Sequence, residues 1–141
     1  MRKPTQDGCI EVAIPSDPSE ARRVQEMIEK QLHNHHFDQR EIFSIKLALE
    51  EALVNAIKHG NQMDRNKKVH VVYRIGSDRF EVTVADEGPG FDPADVPDPT
   101  AVENLERPSG RGLMLMRHYM NEVCYNSSGN AVSMSKVRHG R

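Results

Sequence analysis

The sequence predicts an α+β fold, an antiparallel-rich sheet with helices on one face. Two observations carry this. Strand-like alternation comes in adjacent pairs. Val69, Val71, Tyr73 and Ile75 alternate with His70, Val72 and Arg74 up to the turn Gly76-Ser77-Asp78-Arg79, and Phe80, Val82 and Val84 alternate after it. A second pair, Glu122 to Tyr125 and Ala131 to Val137, flanks Ser127-Ser128-Gly129-Asn130. Helical periodicity is instead concentrated in consecutive stretches ahead of the first hairpin, whereas a doubly wound sheet would alternate strand and helix regularly.

Taken in order, Cys9 to Pro15 alternates Ile10, Val12 and Ile14 with other residues and reads as a first strand. Ser16-Asp17-Pro18-Ser19-Glu20 supplies a helix cap and a proline near the first helical position. A helix then runs to about His35, with Ala21, Val24, Met27, Ile28 and Leu32 facing the core. Asp38 followed by Glu41 is a capping-box pattern that opens a second helix. Its apolar face is Ile42, Ile45, Leu49, Ala52, Leu53 and Ala56, and Gly60 is expected to end it in a left-handed conformation. Asn61 to Lys67 reads as a polar loop. Residues 92–109 carry Pro93, Pro97, Pro99 and Pro108 without a periodic apolar face, so a functional loop is expected there. A short apolar helix, Leu113 to Met120, precedes the last hairpin.

The 141 residues suit one domain, 1–141, and 37% hydrophobic with 28% charged residues fits a soluble globular chain. A net charge of −2 argues against a nucleic-acid partner, and the basic end Lys136, Arg138, His139, Arg141 reads as solvated. No apolar run is long enough for a membrane span and no leader is evident, so a cytoplasmic location is expected. Cys9 and Cys124 lack metal or redox spacing and read as buried strand thiols. His33, His35 and His36 have no companion ligands to make a metal site.

Three stretches carry chemistry. Glu51 and Asn55, four residues apart, are neighbours on one helix face, with Lys58 following on that side. A carboxylate beside a carboxamide suits a magnesium–phosphate site, and a surface polar pair explains it as well. Asp86-x-Gly88-x-Gly90 follows a strand. The aspartate could accept a hydrogen bond from an exocyclic amine such as adenine N6, and a plain glycine turn is the alternative. Gly110-Arg111-Gly112 precedes a helix, whose N-terminus favours an anion that Arg111 or Arg107 could also contact. Neither a Walker loop nor a dinucleotide fingerprint is present.

In this order the three motifs resemble the GHKL ATPase superfamily of gyrase, heat-shock-90 chaperones, MutL and histidine kinases. The resemblance covers nearly the whole chain. It implies the Bergerat ATP-binding fold, a two-layer α/β sandwich with a mixed, mostly antiparallel sheet. It implies Glu51 as general base, Asn55 as magnesium ligand and Asp86 as adenine reader. Gly88 and Gly90 would line the base pocket. Arg107, Gly110, Arg111, Gly112 and Leu113 would sit at the phosphate end of a lid at about 92–109. Met114 stands where histidine kinases usually carry a further glycine. Neither a dimerisation domain with a phosphorylated histidine nor a transducer domain is expected in this length.

Glu50-Glu51-Ala52-Leu53-Val54-Asn55-Ala56-Ile57-Lys58-His59-Gly60-Asn61 and Gly110-Arg111-Gly112-Leu113-Met114-Leu115-Met116 resemble the stand-alone anti-sigma-factor serine/threonine kinases. That resemblance implies ATP and Mg²⁺ as cofactors, a homodimer, a bound sigma factor and an anti-anti-sigma protein as phosphate acceptor. A nucleotide-gated adaptor with little kinase activity, or a bare ATPase, is the alternative. Asn130-Ala131 stands where members often carry a threonine, and Asn130 keeps a hydrogen-bonding group there.

Overall fold

A computed structural model describes residues 2–4, 8–89 and 108–138. Six strands form one sheet: β1 (Arg2–Pro4), β2 (Ile10–Pro15), β3 (Lys68–Ile75), β4 (Arg79–Ala85), β5 (Glu122–Tyr125) and β6 (Ala131–Val137). Their spatial order is β1-β2-β3-β4-β6-β5. Three helices accompany them: α1 (Pro18–Asn34), α2 (Gln39–Val54) and α3 (Pro108–Tyr119). β1 escaped the sequence reading, being three residues long with no alternation to detect.

All described pairings are antiparallel, which corrects the expectation of a mixed sheet. The connections explain this. Two helices separate β2 from β3, and one helix plus one strand separate β4 from β6, so each return reverses direction. The same reversals bring the ends of β2, α2 and β4 and the start of α3 to one end of the sheet. The candidate site lies there.

The inner face of the sheet meets the helices. Val12, Ile14, Val69, Val71, Tyr73, Phe80, Val82, Val84, Val132 and Met134 alternate inward, against Val24, Ile28 and Leu32 of α1, Ile45, Leu49 and Leu53 of α2, and Met116 of α3. The Tyr73 hydroxyl reaches this layer by donating to Gln31 Oε1 at 2.8 Å. The capping box at α2 forms as expected: Glu41 N–H donates to Asp38 Oδ1 at 2.7 Å, and Asp38 N–H to Glu41 Oε1 at 3.1 Å.

Several expectations are corrected. Arg138 is no solvated tail: its guanidinium stacks 4.1 Å from the Phe37 ring centroid and donates to His36 O at 2.8 Å. Lys136 Nζ donates to Tyr119 O at 2.9 Å. Asn61 is no loop residue in water, since its side chain is fully buried. Cys124 is exposed, because the alternation of β5 turns it to the face no helix covers, and Cys9 precedes β2 and is half-buried.

Candidate nucleotide site

A cavity of about 220 Å³ opens between the C-terminal end of α2, the end of β4 and the start of β6. Ala52 and Ala56 form its helical wall, Val84, Ala131 and Val132 its sheet wall, and Asp86 its end. Alanines leave a narrow slot between helix and sheet, a shape suited to a planar ring. Asn55, His59, Gly60, Pro89, Tyr125, Gly129 and Asn130 complete the lining. Ala52 and Ala56 therefore serve both core and cavity, and Asn55 lines the cavity beside them.

The motif helix changes character at Asn55. Residues Asn55–Gly60 form a π-helical turn, with i→i+5 hydrogen bonding, a form frequent at functional sites. This widening rotates the following side chains. His59 and Gly60 reach the cavity, whereas Lys58 turns into the groove between α1 and α2 beside Arg22 and Glu50. The expectation that Lys58 shares the Asn55 face is thereby corrected.

Gly60 is not left-handed, contrary to expectation; among the described glycines only Gly8 and Gly129 have positive φ. Its requirement is close approach: a Cβ there would overlap the Asp86 carboxylate. A Cβ on Gly88 would in turn overlap the Gly60 carbonyl oxygen. The three residues interlock, and Gly88 N–H donates to Asp86 Oδ1 at 2.8 Å, leaving the second oxygen of Asp86 for another partner. Asp86 N–H donates to Asn130 O at 2.8 Å, tying the motif to the β5–β6 turn. Gly60→Ala is expected to push the carboxylate aside. Nucleotide affinity should fall several-fold, to about tenfold, while the melting temperature stays nearly constant, since a side-chain end yields rather than backbone. Unchanged affinity in titration calorimetry would show that the interlock has no bearing on binding.

Electrostatics mark the same residues. Burial raises the Asp86 carboxyl above its usual range, with the Gly88 hydrogen bond and the Lys67 charge opposing. Glu51 is raised by burial and then by Glu50, with His59 opposing. The Tyr125 phenol is pushed up to about 12 by burial and by the Asp86 charge, so it stays protonated at neutral pH. Tyr125 lies within hydrogen-bonding reach of Asn55 and was missed in the sequence. Only its alternation on β5, inward beside outward Cys124, could have signalled it.

Asn55 Nδ2 is buried and makes no well-formed hydrogen bond among the described residues. A buried amide end with only the Tyr125 hydroxyl in reach, at a cavity wall, fits a ligand or metal-hydrate contact, the amide orientation being exchangeable. Gly112 approaches this pair so closely that its Cβ would stand 2.6 Å from Asn55 Nδ2 and 3.0 Å from Glu51 Oε1. The start of α3 thus joins the two motifs. The helix starts at Pro108, earlier than expected, because proline suits a first helical position. Gly110-Arg111-Gly112 accordingly lies within the first turns of α3 rather than before it, and the loop expected at 92–109 ends by 107. Leu113 is buried and is not among the cavity-lining residues described. Gly90, Arg107 and residues 92–107 lie outside the described residues, as does the side chain of Arg111.

Comparison with known proteins accords with this geometry. Residues 14–136 match the family model of the histidine kinase-like ATPase domain. The serine-protein kinase RsbW of Bacillus subtilis (strain 168) is 33% identical over 138 residues, 93% of this chain and 86% of the relative. The anti-sigma F factor of Oceanobacillus iheyensis is 34% identical over 102 residues, 68% of this chain and 69% of the relative. Among solved structures, the RsbU and RsbW domains of a Mycobacterium tuberculosis protein superpose with a TM-score of 0.63 at 16% identity. That match spans 93% of this chain and 32% of the other, and bears on the fold alone. The chain belongs to the histidine kinase-like ATPase domain family, among the RsbW-type serine-protein kinases and anti-sigma factors.

Proposed function

We propose that the chain is an ATP-dependent protein serine/threonine kinase that acts as an anti-sigma factor in a partner-switching module and phosphorylates an anti-anti-sigma protein. The observation that carries this reading is that Asn55 and Asp86 line one cavity, with Glu51 and Gly112 close beside Asn55, in a chain whose relatives are named as such kinases.

Asp86 accepts the exocyclic amine of adenine, and the Ala52–Ala56 wall and the sheet flank the ring. Gly88 lets the backbone close around the base. Asn55 would hold Mg²⁺, a role that one amide oxygen fits because Mg²⁺ takes few protein ligands beside phosphates and water. When bound, the metal offsets charge on the transferring phosphoryl group. Glu51 takes the proton of the acceptor serine while the serine oxygen bonds to the γ-phosphorus and the β–γ bridge breaks. The first turn of α3, with Gly110 and Gly112, approaches the phosphates, and Arg111 and Arg107 supply positive charge there. The stretch at about 92–109 would serve as the lid that the resemblance implies.

A homodimer that binds its sigma factor without touching nucleic acid completes the proposal, in the cytoplasm where ATP is abundant. No described helix is long and apolar enough to cross a membrane. The decisive experiment mixes the purified protein with radiolabelled ATP, Mg²⁺ and a purified anti-anti-sigma protein from the same organism. Label on an acceptor serine is expected. Tight ATP binding without transfer would leave an adaptor, and steady phosphate release without a partner would leave an ATPase.

A further inference from the structure

Behind Asp86, on the side away from the cavity, lies a polar cluster that phosphate transfer does not use. Glu87 accepts Lys68 N–H at 3.1 Å and His70 Nε2 at 2.9 Å. An ionised carboxylate only accepts, so the imidazole Nε2 carries the proton in this bond. The Glu87 N–H donates to Asn61 Oδ1 at 2.7 Å. Asn61 then donates to Ser16 Oγ at 2.9 Å and to Lys68 O at 3.0 Å, and Ser16 Oγ donates to Lys67 O at 2.8 Å. The step after Asp86 is thus bonded to the start of β3 and to the β2–α1 junction. In the sequence these residues look like unrelated surface polar groups.

We propose that Glu87 is a positioning residue: braced by Asn61 and gripped by His70, it holds Asp86 at the adenine end of the cavity, and the grip tightens when His70 is charged. The inference rests on Asp86 being the adenine reader. An imidazolium–carboxylate hydrogen bond is stronger than one from neutral imidazole, and histidine is the side chain that changes charge near neutral pH. Lys68 is the other charge acting on Glu87, Lys67 acts on Asp86, and Glu11, two residues from Ala13 on the same face of β2, is the titratable group diagonal to His70. The sheet neighbours of His70 are Ala13 on β2 and Ala85 on β4, neither of which titrates. The His70 hydrogen bond, then that of Lys68 N–H, holds the Glu87 carboxyl below the usual range against slight burial. With side-chain exposures of 47% for His70 and 42% for Glu87, the pair is solvent-screened, so a modest effect is expected, about two- to fivefold.

The test is ATP affinity with saturating Mg²⁺ at about pH 6 and about pH 8, where histidine changes charge. Wild type, His70→Gln, Glu87→Gln, Glu87→Ala and Asp86→Ala are compared, with melting temperatures for each. Dividing the wild-type pH ratio by the His70→Gln ratio cancels titration of the nucleotide itself. That quotient should favour acid pH by about two- to fivefold. Glu87→Gln retains acceptors but no charge, so its pH ratio should match that of His70→Gln. Glu87→Ala should weaken ATP about three- to tenfold at both pH values. Equal pH ratios in wild type and His70→Gln would overturn the switch. Wild-type affinity in Glu87→Ala, beside lost affinity in Asp86→Ala, would overturn the positioning role of the Glu87 carboxylate while leaving the adenine reader standing. Wild-type affinity in Asp86→Ala would sink the adenine reading itself. Should Glu87→Ala not fold, the two exposed glutamine variants still decide, because a purely structural role moves their melting temperatures without moving the pH ratio.

Discussion

Asp86→Ala is expected to weaken ATP binding about ten- to a hundredfold, the worth of one buried hydrogen bond to a charged acceptor, roughly 1.5–3 kcal/mol. Asp86→Asn should be nearly as weak, although it is almost isosteric. One oxygen of Asp86 already accepts the Gly88 N–H, so a carboxamide keeps its oxygen there and turns its NH₂ toward the ligand. That would set a donor against the donor amine of adenine. Guanine presents an oxygen at the same ring position, so Asp86→Asn should also narrow the preference for ATP over GTP. Titration calorimetry with a non-hydrolysable analogue of each nucleotide gives both quantities. An Asp86→Asn variant that is folded and keeps wild-type affinity and base preference would remove Asp86 from the adenine end.

The fold was legible wherever one local signal sufficed. Alternation marked Lys68–Ile75 and Arg79–Ala85, and Asp38 with Glu41 marked the start of α2, because hydrophobic period and caps act over a few residues. The resemblance pointed to Glu51, Asn55 and Asp86, and of these Asn55 and Asp86 line the cavity. What stayed hidden depends on packing between distant segments. Gly60 looks like a helix stop, yet it is required by a carboxylate twenty-six positions later. Asn61 looks like loop, but its partners Ser16, Lys68 and Glu87 meet only after the sheet forms. The π-helical turn at Asn55–Gly60 has no propensity signal, and it decides that His59 rather than Lys58 faces the cavity. Tyr125 was invisible for the same reason: one aromatic on a short strand becomes a site residue only beside Asn55 and Asp86.

The largest single loss is expected from Glu51→Gln, about 10²–10⁴-fold in phosphate transfer, the usual worth of a positioned general base. ATP affinity should stay within a few-fold of wild type, because the amide keeps the shape and the hydrogen-bonding capacity of the side chain beside Gly112. Burial and the neighbouring Glu50 charge raise the Glu51 carboxyl. A base works ionised, so wild-type transfer should fall on acidification at a pH above the ordinary glutamate value of about 4.3. The variant should lose this acid limb together with the rate. Stability gives an independent sign. A carboxyl raised in the fold favours the folded state below its unfolded pKa, and that contribution is lost as pH rises through the raised value. At neutral pH the charge is therefore a burden, and Glu51→Gln should melt no lower than wild type, trading activity for stability. Glu50→Gln is the control: Glu50 is exposed on the α1–α2 groove and should transfer phosphate normally. If Glu51→Gln transfers at the wild-type rate while Glu50→Gln does not, the base is Glu50. If neither variant is impaired, neither carboxylate is the base and the Glu51 charge plays no part in transfer; the acceptor serine then loses its proton to the nucleotide phosphate.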